Sequence, residues 1–215
     1  MFDRIAGPYD LMNSVMTAGL HHRWRARAAD LARVGPGSRA LDVATGTGDL
    51  AIELASRGAS VVGSDFSAGM LEVARRKAPS LTWEQGNALA LPYEDASFDA
   101  ATVGFGARNF SDLGRGLAEM ARVVRPGGRV VVLEITTPQK PPLSTFFALW
   151  FDRVVPLLGK LAAEPEAYTY LPSSVKRFPQ LRELGAALVA TGLVDVRWIL
   201  TAGGIIALHS GTVER

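Results

Sequence analysis

Strand-like runs alternate with helical runs through the first two thirds of the chain, and this order restricts the fold more than any other feature. Helical periodicity extends through residues 48–58 and starts again after residue 66 and after residue 110. Ser111 is the expected N-cap of the last of these helices. Residues 87–92 are predicted as a shorter helical link. Strands that alternate with helices form a parallel sheet covered on both faces. The sequence therefore predicts an α/β fold. The predicted strands are residues 39–44, 60–65, 81–86, 98–105 and 130–136.

The alternation stops at residue 138. Residues 138–177 are rich in proline, aromatic and apolar residues and are interpreted as an insertion. After a helix at 178–192, strands at 194–201 and 205–211 are separated by a glycine-containing turn, which predicts an antiparallel hairpin at a sheet edge. We expect a single domain with a seven-stranded, mostly parallel sheet. Its predicted parts are an N-terminal helical lid at 1–35, a core at 36–137, the insertion at 138–177 and a C-terminal helix and hairpin at 178–215.

Composition excludes several classes of function. The 215 residues include no cysteine, so disulfides, thiolate metal ligands and a cysteine nucleophile are excluded, and we expect no metal. The formal charge of +2, with both signs scattered, argues against a nucleic-acid surface. The basic run at 21–33 is interpreted as the solvated face of a helix, with an anionic-lipid contact as the alternative. We expect a cytoplasmic protein, soluble or peripheral at the cytoplasmic membrane.

A glycine loop follows the first predicted strand. Gly46, Gly48 and Ala51 fit the G-x-G-x-x-G/A pattern of nucleotide-binding folds, and Asp42 and Asp49 flank the loop. Each carboxylate would disfavour a nearby pyrophosphate by about a kcal/mol, whereas an ammonium or a sulfonium would be attracted. The acids therefore favour S-adenosylmethionine over NAD, and an NAD-dependent oxidoreductase is the alternative from another class.

Polar residues also follow the second and third strands. Asp65 ends the second strand, where an acid can accept both ribose hydroxyls of either cofactor, and we expect it to face solvent. Asn87 and Ala88 follow the third strand, where an amide and a backbone N–H can contact the adenine edge. For Asn87 a turn residue is the equal alternative.

Seven motifs in order then resemble a known family. They are MFDRIAGPYDLMN, GLHHRWR, LDVATGTGDLA, GSDFSAGML, FGARN, PGGR and AYTYLPSSVKRFP, and together they extend over essentially the whole chain. The chain resembles the class I S-adenosylmethionine methyltransferases, and among them the C-methyltransferases of quinone biosynthesis.

This resemblance implies a Rossmann-like class I fold, S-adenosylmethionine as cofactor and a prenylated lipid quinol as substrate. The implied reaction is methylation of a ring carbon of demethylmenaquinol, or of a ubiquinone precursor. Cofactor contacts carry over to Thr45, Asp65, Asn87 and Ala88, in addition to Asp42, Gly46 and Gly48 of the loop. Gly104 stands where some dual-specificity members have serine, which favours the menaquinone reaction.

Methylation of an aromatic carbon requires an electron-rich ring, so a donor near the phenolic oxygen would assist it. Arg108 and Asn109, directly after the fourth strand, are the expected donors, with a structural ion pair as the alternative for Arg108. His21 is a further catalytic candidate, and the alternative is that it caps or packs its helix. His209 is a weaker catalytic candidate.

Several residues are expected near the acceptor substrate, and some of them have more than one possible role. Tyr9 and Asp10 are expected in a lid over the cofactor, and Tyr168 and Tyr170 either line the acceptor pocket or pack a loop. The insertion either covers the quinol ring, channels the prenyl tail or contacts lipid, or it forms a buried helix that ends at Pro156. A homodimer is also compatible with the sequence. The apolar residues of the insertion are Phe146, Phe147, Leu149, Trp150, Phe151, Val154 and Val155.

Two further hypotheses concern the function. A methyltransferase for another small apolar acceptor would have the same cofactor-binding residues. A non-catalytic domain on this fold would bind the cofactor without transferring a methyl group.

Overall fold

The computed structural model describes residues 17, 19–139, 141–150, 153 and 172–214. Its strands are β1 Arg39–Val43, β2 Ser60–Asp65, β3 Thr82–Gln85, β4 Phe98–Gly104, β5 Val124–Ile135, β6 Leu193–Thr201 and β7 Ile206–Val213. Its helices are α1 Leu20–Ala32, α2 Asp49–Ala55, α3 Ala68–Lys77, α4 Leu113–Val123, α5 Leu143–Leu149, α6 at residues 172–177 and α7 Leu181–Ala190.

The strands form one sheet in the order β3-β2-β1-β4-β5-β7-β6. Strands β1 to β5 pair in parallel, and β7 is antiparallel to both β5 and β6. The predicted seven-stranded sheet with an antiparallel C-terminal hairpin is confirmed. Because the chain winds outward from β1 to β3 and then returns to β4, a crevice opens at the carboxyl ends of β1 and β4.

Helices cover both faces of the sheet, as predicted. On one face Trp24 of α1, Leu54 of α2 and Leu71 of α3 belong to one core cluster. On the other face Leu117 of α4 and Leu188 of α7 belong to a second cluster. Residues Val130–Leu133 of β5 form an uninterrupted buried apolar run because β5 lies between two layers of helices.

Helix α1 is a packed layer of this core. Trp24, Ala28, Ala29 and Ala32 are buried, and α1 contacts α2 and the strands β4, β5 and β7. The lid predicted for residues 1–35 stays a prediction, and its first 16 residues lie outside the described part of the chain. In that part, no helix has the length and apolar character needed to span a membrane.

Three local predictions are wrong. Residues 87–92 form a turn with an Asn87–Ala90 bridge instead of a helix, because the Asn87 side chain accepts a hydrogen bond from the Leu89 N–H. Helix α4 is capped by Asp112 rather than Ser111, since Asp112 Oδ1 accepts the Arg115 N–H at 2.9 Å. Strand β5 begins at Val124, which pairs with Phe98 before the RPGG turn bulges out of the ladder.

Candidate active site

A cleft of about 360 Å³ lies at the carboxyl ends of β1 to β4. Its size suits a nucleoside-sized ligand. Of the predicted site residues, Gly48, Arg108 and His21 are not among those that line it. The predicted residues that line the cleft are Asp42, Thr45, Gly46, Asp65, Asn87, Ala88 and Asn109.

Asp65 joins two loops at the floor of the cleft. Its Oδ2 accepts the backbone N–H of Gly46 and its Oδ1 accepts that of Ser67, each at 2.8 Å. The side chain is therefore fixed in one orientation at the end of β2. A carboxylate oxygen can accept more than one hydrogen bond, so this geometry is compatible with ribose hydroxyls as further donors.

Asp42 organises the glycine loop from beneath. Its carboxylate is buried and accepts the hydroxyls of Thr45 at 2.5 Å and Thr102 at 2.6 Å. Burial raises the pKa of Asp42 to about 6, although both hydroxyl bonds act in the opposite direction. The backbone N–H of Thr45 also donates to the Ser64 carbonyl at 3.0 Å. Thr102, which the sequence analysis did not single out, is thus part of the support of the loop.

Gly48 has a packing role in this structure. Its φ is +86°, and a Cβ there would lie 2.4 Å from the Trp83 ring of β3. A side chain at this position would be strained and would also clash. Gly48 therefore allows the Trp83 ring to pack against the start of α2, and its predicted contact with the cofactor stays a prediction.

The negative charge of Asp49 is compensated by two cations. Its Oδ2 lies 3.3 Å from Arg25 Nη2, and its Oδ1 contacts Lys77 Nζ. Burial alone would raise the pKa of Asp49, but the charges of Arg25 and Lys77 outweigh burial and lower it. The negative charge that the sequence analysis assigned to attraction of the cofactor is thus already paired.

Arg25 and Phe66 line the cleft and were not predicted. Arg25 lies in the GLHHRWR motif beside Trp24, and the small residues Ala28 and Ala29 one turn later indicate the buried face of α1. Phe66 follows Asp65 and is 77% exposed, so it presents a bare aromatic ring next to the predicted ribose position.

Arg108 forms an ion pair with Glu134, the alternative that the sequence left open. Its Nη1 donates to Glu134 Oε1 at 2.6 Å and to the Phe105 carbonyl at 2.7 Å. Glu134 lies at the end of β5 with 1% of its surface exposed. Asn109 lines the cleft beside this pair. The catalytic roles of Arg108 and Asn109 stay predictions.

The two buried histidines make local contacts. His21 Nδ1 lies 2.7 Å from the Thr17 hydroxyl, within the N-terminal turn of the helical region. His209 Nε2 lies 2.8 Å from the Leu181 carbonyl, and burial lowers the pKa of His209. These contacts fit the packing alternatives, and the catalytic role of His21 stays a prediction.

The Asn87 side chain forms the turn described above, which fits its structural alternative, and its contact with adenine stays a prediction together with that of Ala88. In the insertion, Phe147 is buried against Val175 of α6, whereas Phe146, Leu149 and Trp150 are exposed. Several predictions lie outside the described residues, namely those for Tyr9, Asp10, Phe151, Val154, Val155, Pro156, Tyr168 and Tyr170.

Comparisons with known proteins agree over the whole chain. The model of the ubiE/COQ5 methyltransferase family matches residues 1–213. Demethylmenaquinone methyltransferase from Thermus thermophilus is 47% identical over 98% of this chain and 99% of its own length. The protein of that name from Deinococcus radiodurans is 50% identical over 94% of this chain and 87% of its own length. A solved SAM-dependent methyltransferase from Thermotoga maritima, 21% identical, shares the fold with a TM-score of 0.66 over 94% of this chain and 96% of its own.

Proposed function

The chain belongs to the ubiE/COQ5 methyltransferase family, and from this premise we propose that it methylates a ring carbon of demethylmenaquinol with S-adenosylmethionine. The product is menaquinol. The observation that carries this proposal is the cleft at the ends of β1 to β4, in which Asp65 is held by the N–H groups of Gly46 and Ser67.

The residues of the cleft can hold this cofactor. Asp65 would hold the ribose hydroxyls, and Asn87, Ala88 and the exposed Phe66 ring would surround the adenine. The relatives, which are named methyltransferases, argue against an NAD-dependent oxidoreductase.

When bound, the cofactor supplies an electrophilic methyl group for the ring carbon. The protein contributes position and electrostatics. Asp42 fixes the glycine loop through Thr45, which defines one wall of the cleft. Asn109, after β4, also lines the cleft, where its amide can contact a phenolic oxygen. The ring-carbon proton leaves to solvent or to a base after the new carbon–carbon bond has formed.

Gly104 and the relatives both favour the menaquinone reaction. Gly104 has no side chain, and a Cβ there would lie 3.1 Å from a methyl group of Leu50, so this wall is apolar. The relatives named above are demethylmenaquinone methyltransferases. We therefore propose demethylmenaquinol as the substrate in preference to a ubiquinone precursor.

A substrate with a prenyl tail resides in lipid, and we also propose that α5 contacts the membrane surface. Phe146, Leu149 and Trp150 are exposed and share one helical face, with the Phe146 and Trp150 rings stacked at 6.1 Å. Exposed aromatic and aliphatic side chains on one face are typical of a membrane-surface helix. The homodimer and the cytoplasmic location stay predictions.

A mass-spectrometric assay tests the proposal. Reduced demethylmenaquinone and a reduced ubiquinone precursor are offered together with S-adenosylmethionine, and products are followed by a mass increase of one methylene group. We expect menaquinol as the main product and S-adenosylhomocysteine in equal amount. Cofactor binding without methyl transfer to either quinol would contradict the assigned acceptor.

A further inference from the structure

Arg25 reaches the wall of the cleft from α1. Its residue surface is 7% exposed, and it lines the cleft next to the glycine loop. Its Nη2 pairs with Asp49, and its guanidinium carbon lies 5.8 Å from the centre of the Phe105 ring. An ion pair and a cation–π contact thus fix the side chain at the β1/β4 side of the cleft.

The other terminal nitrogen of Arg25 has a different environment. Nη1 is buried, and among the residues that the structure describes it has no hydrogen-bond partner. A buried donor of a charged group that lacks an acceptor is costly, and folded proteins rarely keep one without a reason. A guanidinium held at the wall of a ligand cleft is well suited to bind a carboxylate, because its donors match the two oxygens.

The charge of the surrounding cluster agrees with an anionic partner. Arg25 and Lys77 flank Asp49 from two sides, so the three side chains together have one positive charge in excess. Arg25 and Asp49 line the cleft, whereas Lys77 does not. Because Lys77 shares Asp49 with Arg25, the carboxylate does not fully neutralise Arg25.

The order of the strands indicates which part of the ligand reaches Arg25. Asn87 follows β3 and Asp65 ends β2, whereas Phe105 follows β4 at the opposite end of the cleft. A nucleoside anchored at Asp65 and Asn87 must extend its 5′ substituent past the β1 loop toward Phe105 and Arg25. In S-adenosylmethionine this substituent is the methionyl group with its α-carboxylate.

We propose that Arg25 binds the α-carboxylate of the cofactor and that Asp49 positions Arg25 for this contact. The inference rests on the cofactor of the proposed function, and it assigns a binding role to a residue of α1. Arg25 would then discriminate the intact cofactor from analogues without the carboxylate.

Calorimetric titration of the full-length protein tests this assignment, with S-adenosylmethionine and its decarboxylated analogue as the two ligands. The analogue keeps the ribose, adenine, sulfonium and amine. We expect Arg25→Met to weaken binding of S-adenosylmethionine by about 10- to 100-fold and to leave binding of the analogue unchanged. Lys77→Met is the matched control, because it removes the other cation of Asp49 and should keep the preference for the carboxylate.

A second variant keeps the test valid if Arg25→Met fails to fold. Arg25→Lys retains a cation near Asp49 and removes the planar donors, and it should also weaken binding of S-adenosylmethionine selectively. Equal losses for both ligands in the Arg25 variants would show that Arg25 only shapes the loop and would overturn the inference. Unchanged binding with a raised KM for the quinol would also overturn it, in favour of a contact with the acceptor. If the wild-type protein bound neither ligand, the cofactor assignment itself would fail.

Discussion

The backbone N–H of Gly46 donates a 2.8 Å hydrogen bond to Oδ2 of Asp65 and so joins the loop after β1 to the end of β2. Because the other carboxylate oxygen accepts the Ser67 N–H, Asp65 also supports the start of α3. The acid that was expected to face solvent therefore also has a structural role, which the sequence did not indicate. Asp65 shapes the floor of the cleft in addition to facing it.

Replacement of this acid should affect binding and stability together. We expect Asp65→Ala to weaken binding of S-adenosylhomocysteine by about 10- to 100-fold and to lower the free energy of unfolding by about 1–3 kcal/mol, since two N–H groups lose their acceptor. Calorimetry and urea unfolding measure the two effects. Asp30→Ala is a control, because Asp30 pairs with Arg57 at the surface. Unchanged affinity in Asp65→Ala would contradict the ribose assignment.

The ion pair of Arg108 with Glu134 should be important for stability. Arg108→Ala leaves a carboxylate that is 1% exposed without its cation, and we expect a loss of about 3 kcal/mol or more in the free energy of unfolding. The double variant Arg108→Met/Glu134→Gln removes both charges and should regain most of this loss. Chemical unfolding of the single and double variants provides the measurement. A single variant as stable as the wild type would contradict the structural role.

The same double variant separates structure from catalysis. If Arg108 stabilises the phenolate, the folded double variant should bind cofactor normally and lose turnover by about 100-fold. If Arg108 acts only through Glu134, turnover should return together with stability. Single-turnover kinetics with saturating cofactor distinguishes these results.

Asp42 should make the stability of the fold depend on pH. Its pKa of about 6 in the folded protein exceeds the ordinary value of 3.8, so between these values the folded protein retains a proton that the unfolded chain has lost. This contribution is fully present below pH 3.8 and is lost as the pH rises through about 6. Its size is about 3 kcal/mol.

A non-titrating variant provides the reference for this effect. The difference in the free energy of unfolding between the wild type and Asp42→Asn should shift by about 2 kcal/mol in favour of the variant from pH 4 to pH 7. The ¹³C resonance of the Asp42 carboxyl should titrate with a midpoint near 6. A midpoint at the ordinary value would contradict the effect of burial.

The sequence predicts the sheet better than it predicts the site. Strands such as Val130–Leu133 are uninterrupted buried runs, and their alternation with helices leaves few arrangements other than a parallel sheet. The positions of Asp65 and Asn87 follow from the rule that ligands bind at the carboxyl ends of such strands. These predictions succeed because they depend on local pattern and on topology.

The partners of the site residues could not be predicted in the same way. Glu134 reaches Arg108 from a different strand, and Asp49 meets Arg25 from a different helix. No periodicity indicates such pairs, because each depends on the packing of elements that are distant in the sequence. The acids of the loop were therefore interpreted as partners of a ligand, although protein groups already hold them.

The exposed face of α5 should determine the affinity for lipid. Phe146 and Leu149 expose 58% and 54% of their surfaces beside Trp150, and α6 adds the exposed cations Lys176 and Arg177. We expect Phe146→Ser/Leu149→Ser to reduce co-sedimentation with phosphatidylglycerol vesicles by about tenfold, because both apolar side chains lose contact with the acyl region. Val189→Ser/Leu200→Ser is the matched control, since Val189 and Leu200 expose 57% and 48% of their surfaces elsewhere on the fold. Equal losses in the two double variants would show that lipid binding reflects exposed apolar area in general, and would contradict a specific role of α5.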